Sequence, residues 1–167
     1  MKKSMLALMM SVGMSTAFAG ITIEMYSTEN NGKERSVGTI QADDTIYGLL
    51  LTPHLHDLPP GIHGFHVHDM PFCGDHAMSA AGHLDPRHTN QHLGPYSGNG
   101  HLGDLPVLIV DASGHATLPI LAPRLKENLI GNHALMIHQG GDNYSDHPEK
   151  LGGGGARIAC GVIKEDP

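Results

Sequence analysis

A chain of 167 residues is long enough for one domain with a real core and too short to invite a second. Its 17 acidic residues outweigh 10 basic ones, a formal charge of −7, which excludes a protein built to grip nucleic acid. Aromatic residues make up 4% of the chain and Trp is absent, while 22 Gly and 11 Pro point to short strands and turns rather than to helices.

The amino-terminal residues stand apart from the rest. Lys2 and Lys3 precede an apolar run from Met5 to Met14, and small residues then lead to Ala17-Phe18-Ala19. This is the pattern of a signal peptide ending in an AxA cleavage site. The apolar run is too short to span a membrane, and no later segment approaches the ~20 apolar residues a spanning helix needs. Residues 1–19 are therefore expected to be a removed signal peptide, leaving residues 20–167 as a single domain outside the cytoplasm, without a membrane partner. Loss of two lysines leaves eight basic against 17 acidic residues, a formal charge of −9.

From Gly20 onward, short β-type runs alternate with turn signals: Ile21 to Ser27, Ser36 to Gln41, Ile46 to Thr52, Gly64 to His68, Leu105 to Asp111, His115 to Leu121, His133 to His138 and Ala156 to Ile163. Asp111-Ala112-Ser113-Gly114 reads as a tight hairpin between two of them. Helical periodicity is nearly absent, and only Pro123 to Leu129 could form a short turn. The pattern predicts an all-β fold, an eight-stranded antiparallel Greek-key sandwich or barrel with two long functional loops. Those loops, Pro71 to Asp104 and Gln139 to Gly155, are too long to be idle connections, so the chemistry is sought there.

Cys73 and Cys160 are the only two cysteines. In an oxidising compartment they are expected to pair rather than remain as separate buried thiols. The closed loop would contribute roughly 4 to 5 kcal/mol through chain entropy.

Fourteen histidines are far more than a chain of this size usually carries, but their spacing is what informs. His66 and His68 lie two apart in Gly64-Phe65-His66-Val67-His68, so both imidazoles leave one face of a strand while Phe65 and Val67 enter the core. The long loop then supplies His83, His92, His101 and Asp104, and three imidazoles with one carboxylate form a closed set suited to zinc. Such an ion would also order the loop, since metal binding free energy becomes folding free energy. A solvated, metal-free loop is the alternative. Gly82-His83-Leu84, Gln91-His92-Leu93 and Gly100-His101-Leu102 argue against it, because Gly and Leu are poor choices for solvation.

Taken together, Gly64-Phe65-His66-Val67-His68, Ala81-Gly82-His83-Leu84-Asp85-Pro86, His92-Leu93-Gly94-Pro95, Gly100-His101-Leu102-Gly103-Asp104-Leu105-Pro106 and Gly152-Gly153-Gly154-Gly155-Ala156-Arg157-Ile158-Ala159-Cys160-Gly161 resemble the copper,zinc superoxide dismutases of bacterial envelopes over nearly the whole mature chain. The resemblance implies copper bound by His66, His68, His83 and His138, and zinc bound by His83, His92, His101 and Asp104, with His83 bridging the two. It also implies a Cys73–Cys160 disulfide, an Arg157 that orients the substrate beside the open copper face, and an Asp142 that ties copper and zinc histidines together from behind. Periplasmic location, superoxide as substrate and one copper with one zinc per subunit follow from the same likeness, with a homodimer left open.

Chemistry supports these roles independently. Four imidazoles suit copper, a one-electron redox metal, whereas zinc has no redox chemistry. A guanidinium stays charged at any working pH and so can orient a small anion. The acidic chain is no obstacle, because two divalent ions less one carboxylate and one imidazolate leave about +2 at the site. A copper or zinc carrier without turnover is the rival reading, and Arg157 speaks against it, since storage needs no anion-orienting cation. Two departures from the likeness stand out: the stretch from Cys73 to His83 is short and lacks the lysines relatives often carry there, and Ala81 replaces a commoner Gly, a change expected to spare the geometry. No role is assigned to His54, His56, His63, His76, His88, His115, His133 or His147.

Overall fold

The computed structural model describes residues 20–29 and 35–164; the segment read as a signal peptide lies outside them. Among the described residues nine strands run in the order β1 (Ile21–Ser27), β2 (Arg35–Thr45), β3 (Gly48–Leu55), β4 (Gly61–His63), β5 (Phe65–His68), β6 (Leu108–Val110), β7 (Ile120–Ala122), β8 (His133–His138) and β9 (Arg157–Ile163). Seven of them form one antiparallel sheet ordered β5-β8-β9-β1-β2-β3-β7, and β4 pairs with β6. β1, β2 and β3 are neighbours in chain order, whereas β9 beside β1, β7 beside β3 and β8 beside β5 join strands far apart in the sequence. Among the described residues no helix is long and apolar enough to cross a membrane.

The all-β antiparallel architecture is the one the sequence predicts, with differences in the strand list. β4 escapes sequence reading because it is three residues long and its central Ile62 is exposed, so no alternation marks it. Ile46 and Tyr47 form the turn between β2 and β3 rather than the start of a strand. Asp111 does organise a tight turn: its carboxylate accepts hydrogen bonds from Ser113 N at 2.8 Å and His115 N at 3.0 Å. The flanking runs then part company, since β6 pairs with β4 whereas β7 pairs with β3.

Alternation explains which face does what. Ile23 and Met25 of β1 are buried while Thr22 and Glu24 are not, and Phe65, Val67, Leu135 and Ile137 join the same core from β5 and β8. The opposite face of β5 and β8 carries His66, His68, Ala134 and Met136, with His66 opposite Met136 and His68 opposite Ala134. Ala134 and Met136 are sealed by Ala77, Ala80 and the cysteine pair, so the loop after Cys73 lies over this outer face. Cys73 and Cys160 are joined, with their Cα atoms 5.8 Å apart.

Two pieces of the long loop dock along β5. Leu84 N donates to Val67 O at 2.8 Å, Val67 N to Gly103 O at 2.9 Å and Gly103 N to Leu84 O at 2.9 Å. Gly103 is required here because a Cβ would stand 2.2 Å from Val67 O. His83 is thereby set beside His68 and Asp104 beside His66.

Candidate metal centre

Strand and loop together bring all seven ligand candidates into one buried place. His66, His68, His83 and His138 form one cluster, and His83, His92, His101 and Asp104 form another, each with ligand atoms within 4.8 Å of one another. His83 belongs to both. His68 Nδ1 faces Ala81 O at 3.0 Å and His138 Nδ1 faces Gly155 O at 3.1 Å, which fixes both tautomers and turns the two Nε2 atoms toward each other at 3.4 Å. In the second cluster a single oxygen, Asp104 Oδ1, lies 2.9, 3.0 and 3.4 Å from Nδ1 of His83, His92 and His101. Donors 2.0–2.1 Å from a tetrahedral zinc would stand about 3.3 Å apart, so this crowding is the spacing of a ligand shell.

Unpartnered atoms test the fit. Among the described residues His66 Nδ1, His83 Nε2, His92 Nδ1 and His101 Nδ1 are buried and make no hydrogen bond, Asp104 Oδ1 lying near the last two without bonding geometry. Leaving such groups bare costs about 1–3 kcal/mol each, and here they are divided two and two between the clusters. A copper ion in the first and a zinc ion in the second would satisfy all four.

Asp142 lies behind both clusters. Its Oδ2 is 2.7 Å from His66 Nε2 and its Oδ1 2.7 Å from His92 Nε2, so one carboxylate fixes the rings of a copper-side and a zinc-side histidine. Gly152 permits this arrangement, since a Cβ there would meet Asp142 Oδ1 at 2.0 Å. Burial raises the cost of charge on Asp142, but hydrogen bonds with His66 and His92 hold its carboxyl well below the usual carboxylate range. Asp104 is likewise pushed up by burial and held far lower by His101, His83 and His92. The guanidinium of Arg157, at the start of β9, is held by the carbonyls of Ala77 and Ala81, and Ala81 O is also the partner of His68. Ala81 adopts φ 62 and ψ −145, a region that residues with a Cβ rarely enter. The Ala in place of Gly thus leaves the cluster intact while straining the backbone that links Arg157 to His68.

Several residues that hold the centre carry no sequence signal. His63 is buried, with Nδ1 2.7 Å from His138 O and Nε2 2.8 Å from Pro59 O. Asp146 accepts from His92 N at 2.9 Å, and Tyr144 Oη accepts from Val107 N at 3.0 Å. Arg124 donates to the carbonyls of Pro95 (2.7 Å), His101 (2.6 Å) and Gly94 (3.3 Å), pinning the far end of the zinc loop. Its only hint in the sequence is a cation in the predicted Pro123–Leu129 turn. Arg124→Ala should cost about 2 kcal/mol of stability, because charge-assisted hydrogen bonds at a partly exposed site are lost. It should also hasten zinc release to a chelator, and an unchanged release rate would show that the loop is held without it.

The histidines also set a pH dependence for the metal-free protein. Burial, reinforced by neighbouring imidazoles, pushes His66, His68 and His83 below the ordinary 6.5, and burial lowers His138 to about 4. Below pH 6.5 the unfolded chain takes up protons that these four refuse, so stability falls as pH drops. His92 has the opposite sign: burial lowers it, but the carboxylates of Asp104 and Asp142 raise it to about 9. Its contribution is present in full below 6.5 and is lost as pH rises toward 9. Urea midpoints of the metal-stripped chain between pH 5 and 9 should peak near 6.5, with the steeper fall on the acid side. A midpoint still climbing at pH 8 would contradict the assignment.

A curled antiparallel β-protein whose outer face carries two four-residue ligand sets sharing one imidazole has the framework of a binuclear metalloprotein. The family model described as Copper/zinc superoxide dismutase (SODC) matches residues 36–163. Superoxide dismutase [Cu-Zn] 1 of Salmonella typhimurium is 52% identical over 154 residues, covering 87% of each chain. Superoxide dismutase [Cu-Zn] of Legionella pneumophila is 55% identical over 144 residues, 86% of each. Among solved structures, Cu/Zn superoxide dismutase from Brucella abortus superimposes with a TM-score of 0.81 at 46% identity, covering 86% of this chain and 98% of that one. The chain belongs to the copper/zinc superoxide dismutase family.

Proposed function

We propose that this chain dismutates superoxide through copper held by His66, His68, His83 and His138, with zinc held by His83, His92, His101 and Asp104. The observation that carries the reading is the pair of four-ligand clusters joined at His83, with its buried, unpartnered ring nitrogens. When bound, copper supplies the alternating one-electron steps that turn two superoxide ions and two protons into dioxygen and hydrogen peroxide, while zinc holds the loop.

The chain's own residues do the rest. Arg157 binds and orients the anion, because its guanidinium is pinned by Ala77 O and Ala81 O beside the ring of His68. His83 moves a proton at Nε2: that atom has no hydrogen-bond partner among the described residues, whereas Nδ1 faces Asp104, so a proton placed on Nε2 is free to pass to the product. Asp142 keeps the rings of His66 and His92 in register during turnover. Metal analysis with a superoxide decay assay on the purified chain tests the whole. A fully loaded chain without activity would favour a metal carrier instead.

The chain acts in the periplasm after removal of residues 1–19. The AxA site at Ala17-Phe18-Ala19 and an extracytoplasmic type of cysteine pairing support this. Intact mass of protein recovered from the envelope should correspond to a chain starting at Gly20 and should increase by about two hydrogens on reduction of Cys73–Cys160. A mass that retains Met1 to Ala19 would sink the processing claim.

A further inference from the structure

A cleft of 390 Å³ opens beside the metal centre, lined in part by Thr28, His76, Met78, Gln139 and Arg157. Arg157 belongs to both the cleft and the loop over the copper-side histidines. His76 and Met78 have no part in the reaction as derived above. Both are exposed, Met78 to 60%, although an unbranched apolar thioether gains from burial.

The imidazole of His76 is prepared in the way the copper-side imidazoles are. Its Nδ1 lies 3.2 Å from Thr28 O, which places the proton on Nδ1 and leaves Nε2 as a bare lone pair. His68 and His138 show the same arrangement, with Nδ1 on a backbone carbonyl and Nε2 turned to a ligand position. The backbone beneath is unusual as well. Asp75, His76 and Ala77 follow one another at φ 50, 52 and 62, where residues with side chains are uncommon, and no glycine relieves the run. Met78 N donating to Asp75 O at 2.9 Å holds this turn, which the Cys73 disulfide anchors on one side and the Arg157 contact to Ala77 O on the other. The held turn thus places an imidazole and a thioether, two residues apart in the chain, in the lining of one cleft.

An imidazole nitrogen with a thioether sulfur is a soft donor pair that favours Cu(I) over zinc and over hard divalent ions. We propose that His76 Nε2 and Met78 Sδ form a docking site for Cu(I) that adjoins the permanent centre. The proposal takes from the reading above only that copper is this protein's redox metal; the donor pair stands apart from the seven ligands.

Anaerobic titration of the copper- and zinc-loaded enzyme with Cu(I), against a chromophoric Cu(I) chelator, tests it. Resident metals are counted first, so that a failed centre is told apart from a failed dock. Wild type should take up one further Cu(I), and Met78→Leu and His76→Gln should each weaken that uptake at least tenfold, while His54→Gln/His56→Gln leaves it unchanged. Met78→Leu preserves the volume and removes only the sulfur, so lost binding in a variant with wild-type dismutase activity is not a folding effect. The proposal is overturned if wild type binds no further Cu(I), or if Met78→Leu and His76→Gln bind it as tightly as wild type.

Discussion

Replacing Asp104 by Ala should empty the zinc side and loosen the loop from Pro71 onward, while copper still binds. Asp104 Oδ1 stands within 3.4 Å of Nδ1 of His83, His92 and His101, and among the described residues no other carboxylate takes that place. Its Oδ2 also accepts from Leu93 N at 3.3 Å and Gly94 N at 3.2 Å, so the substitution removes backbone anchors together with the ligand. The loss should be large: breaking a buried, paired carboxylate typically costs about 3–5 kcal/mol, and zinc's own contribution to folding goes with it. The copper-side imidazoles keep their fixing contacts to Ala81 O, Gly155 O and Asp142, which is why copper should remain. Metal content and thermal unfolding check both halves. A variant that retained stoichiometric zinc and wild-type heat stability would show that the ligand lies elsewhere.

What could be read from the sequence divides along physical lines. The His66 and His68 pair is legible because a strand has period two, so residue identity alone puts both rings on the face opposite Phe65 and Val67. The loop ligands are legible as a set because their donor chemistry is complete, although their spacing says nothing of where they go. That depends on Leu84 and Gly103 docking on Val67, backbone bonds that no side chain advertises. β4 was beyond reach for a related reason: a three-residue strand with an exposed centre has no pattern to read. Arg124 and His63 act on carbonyl oxygens far along the chain, and carbonyls are the same at every residue. The strain at Ala81 is the sharpest case, since a single methyl group in place of hydrogen looks harmless until φ is known to be 62.

Arg157→Ala should keep both metals and the fold yet lose most of its rate. Arg157 offers no metal ligand, and His68 keeps Ala81 O as its Nδ1 partner without it, so metal content and the visible spectrum should change little. What goes is a fixed cation beside the copper-side histidines. A charge-assisted contact of this type contributes roughly 1.5 to 3 kcal/mol, which at about 1.4 kcal/mol per decade is a fall of ten- to a hundredfold in the second-order rate. Arg157→Lys should lose less, because it keeps the charge but not the planar fork that grips Ala77 O and Ala81 O together. Added salt should slow wild type more than the Ala variant, which has less attraction left to screen. The two effects separate anion guidance from mere packing: a packing role would lower stability and leave the salt slope untouched. A fully metallated Arg157→Ala enzyme that matched wild type in rate and in salt slope would remove the anion-orienting role, and with it the main argument that this centre turns over superoxide rather than simply holding copper.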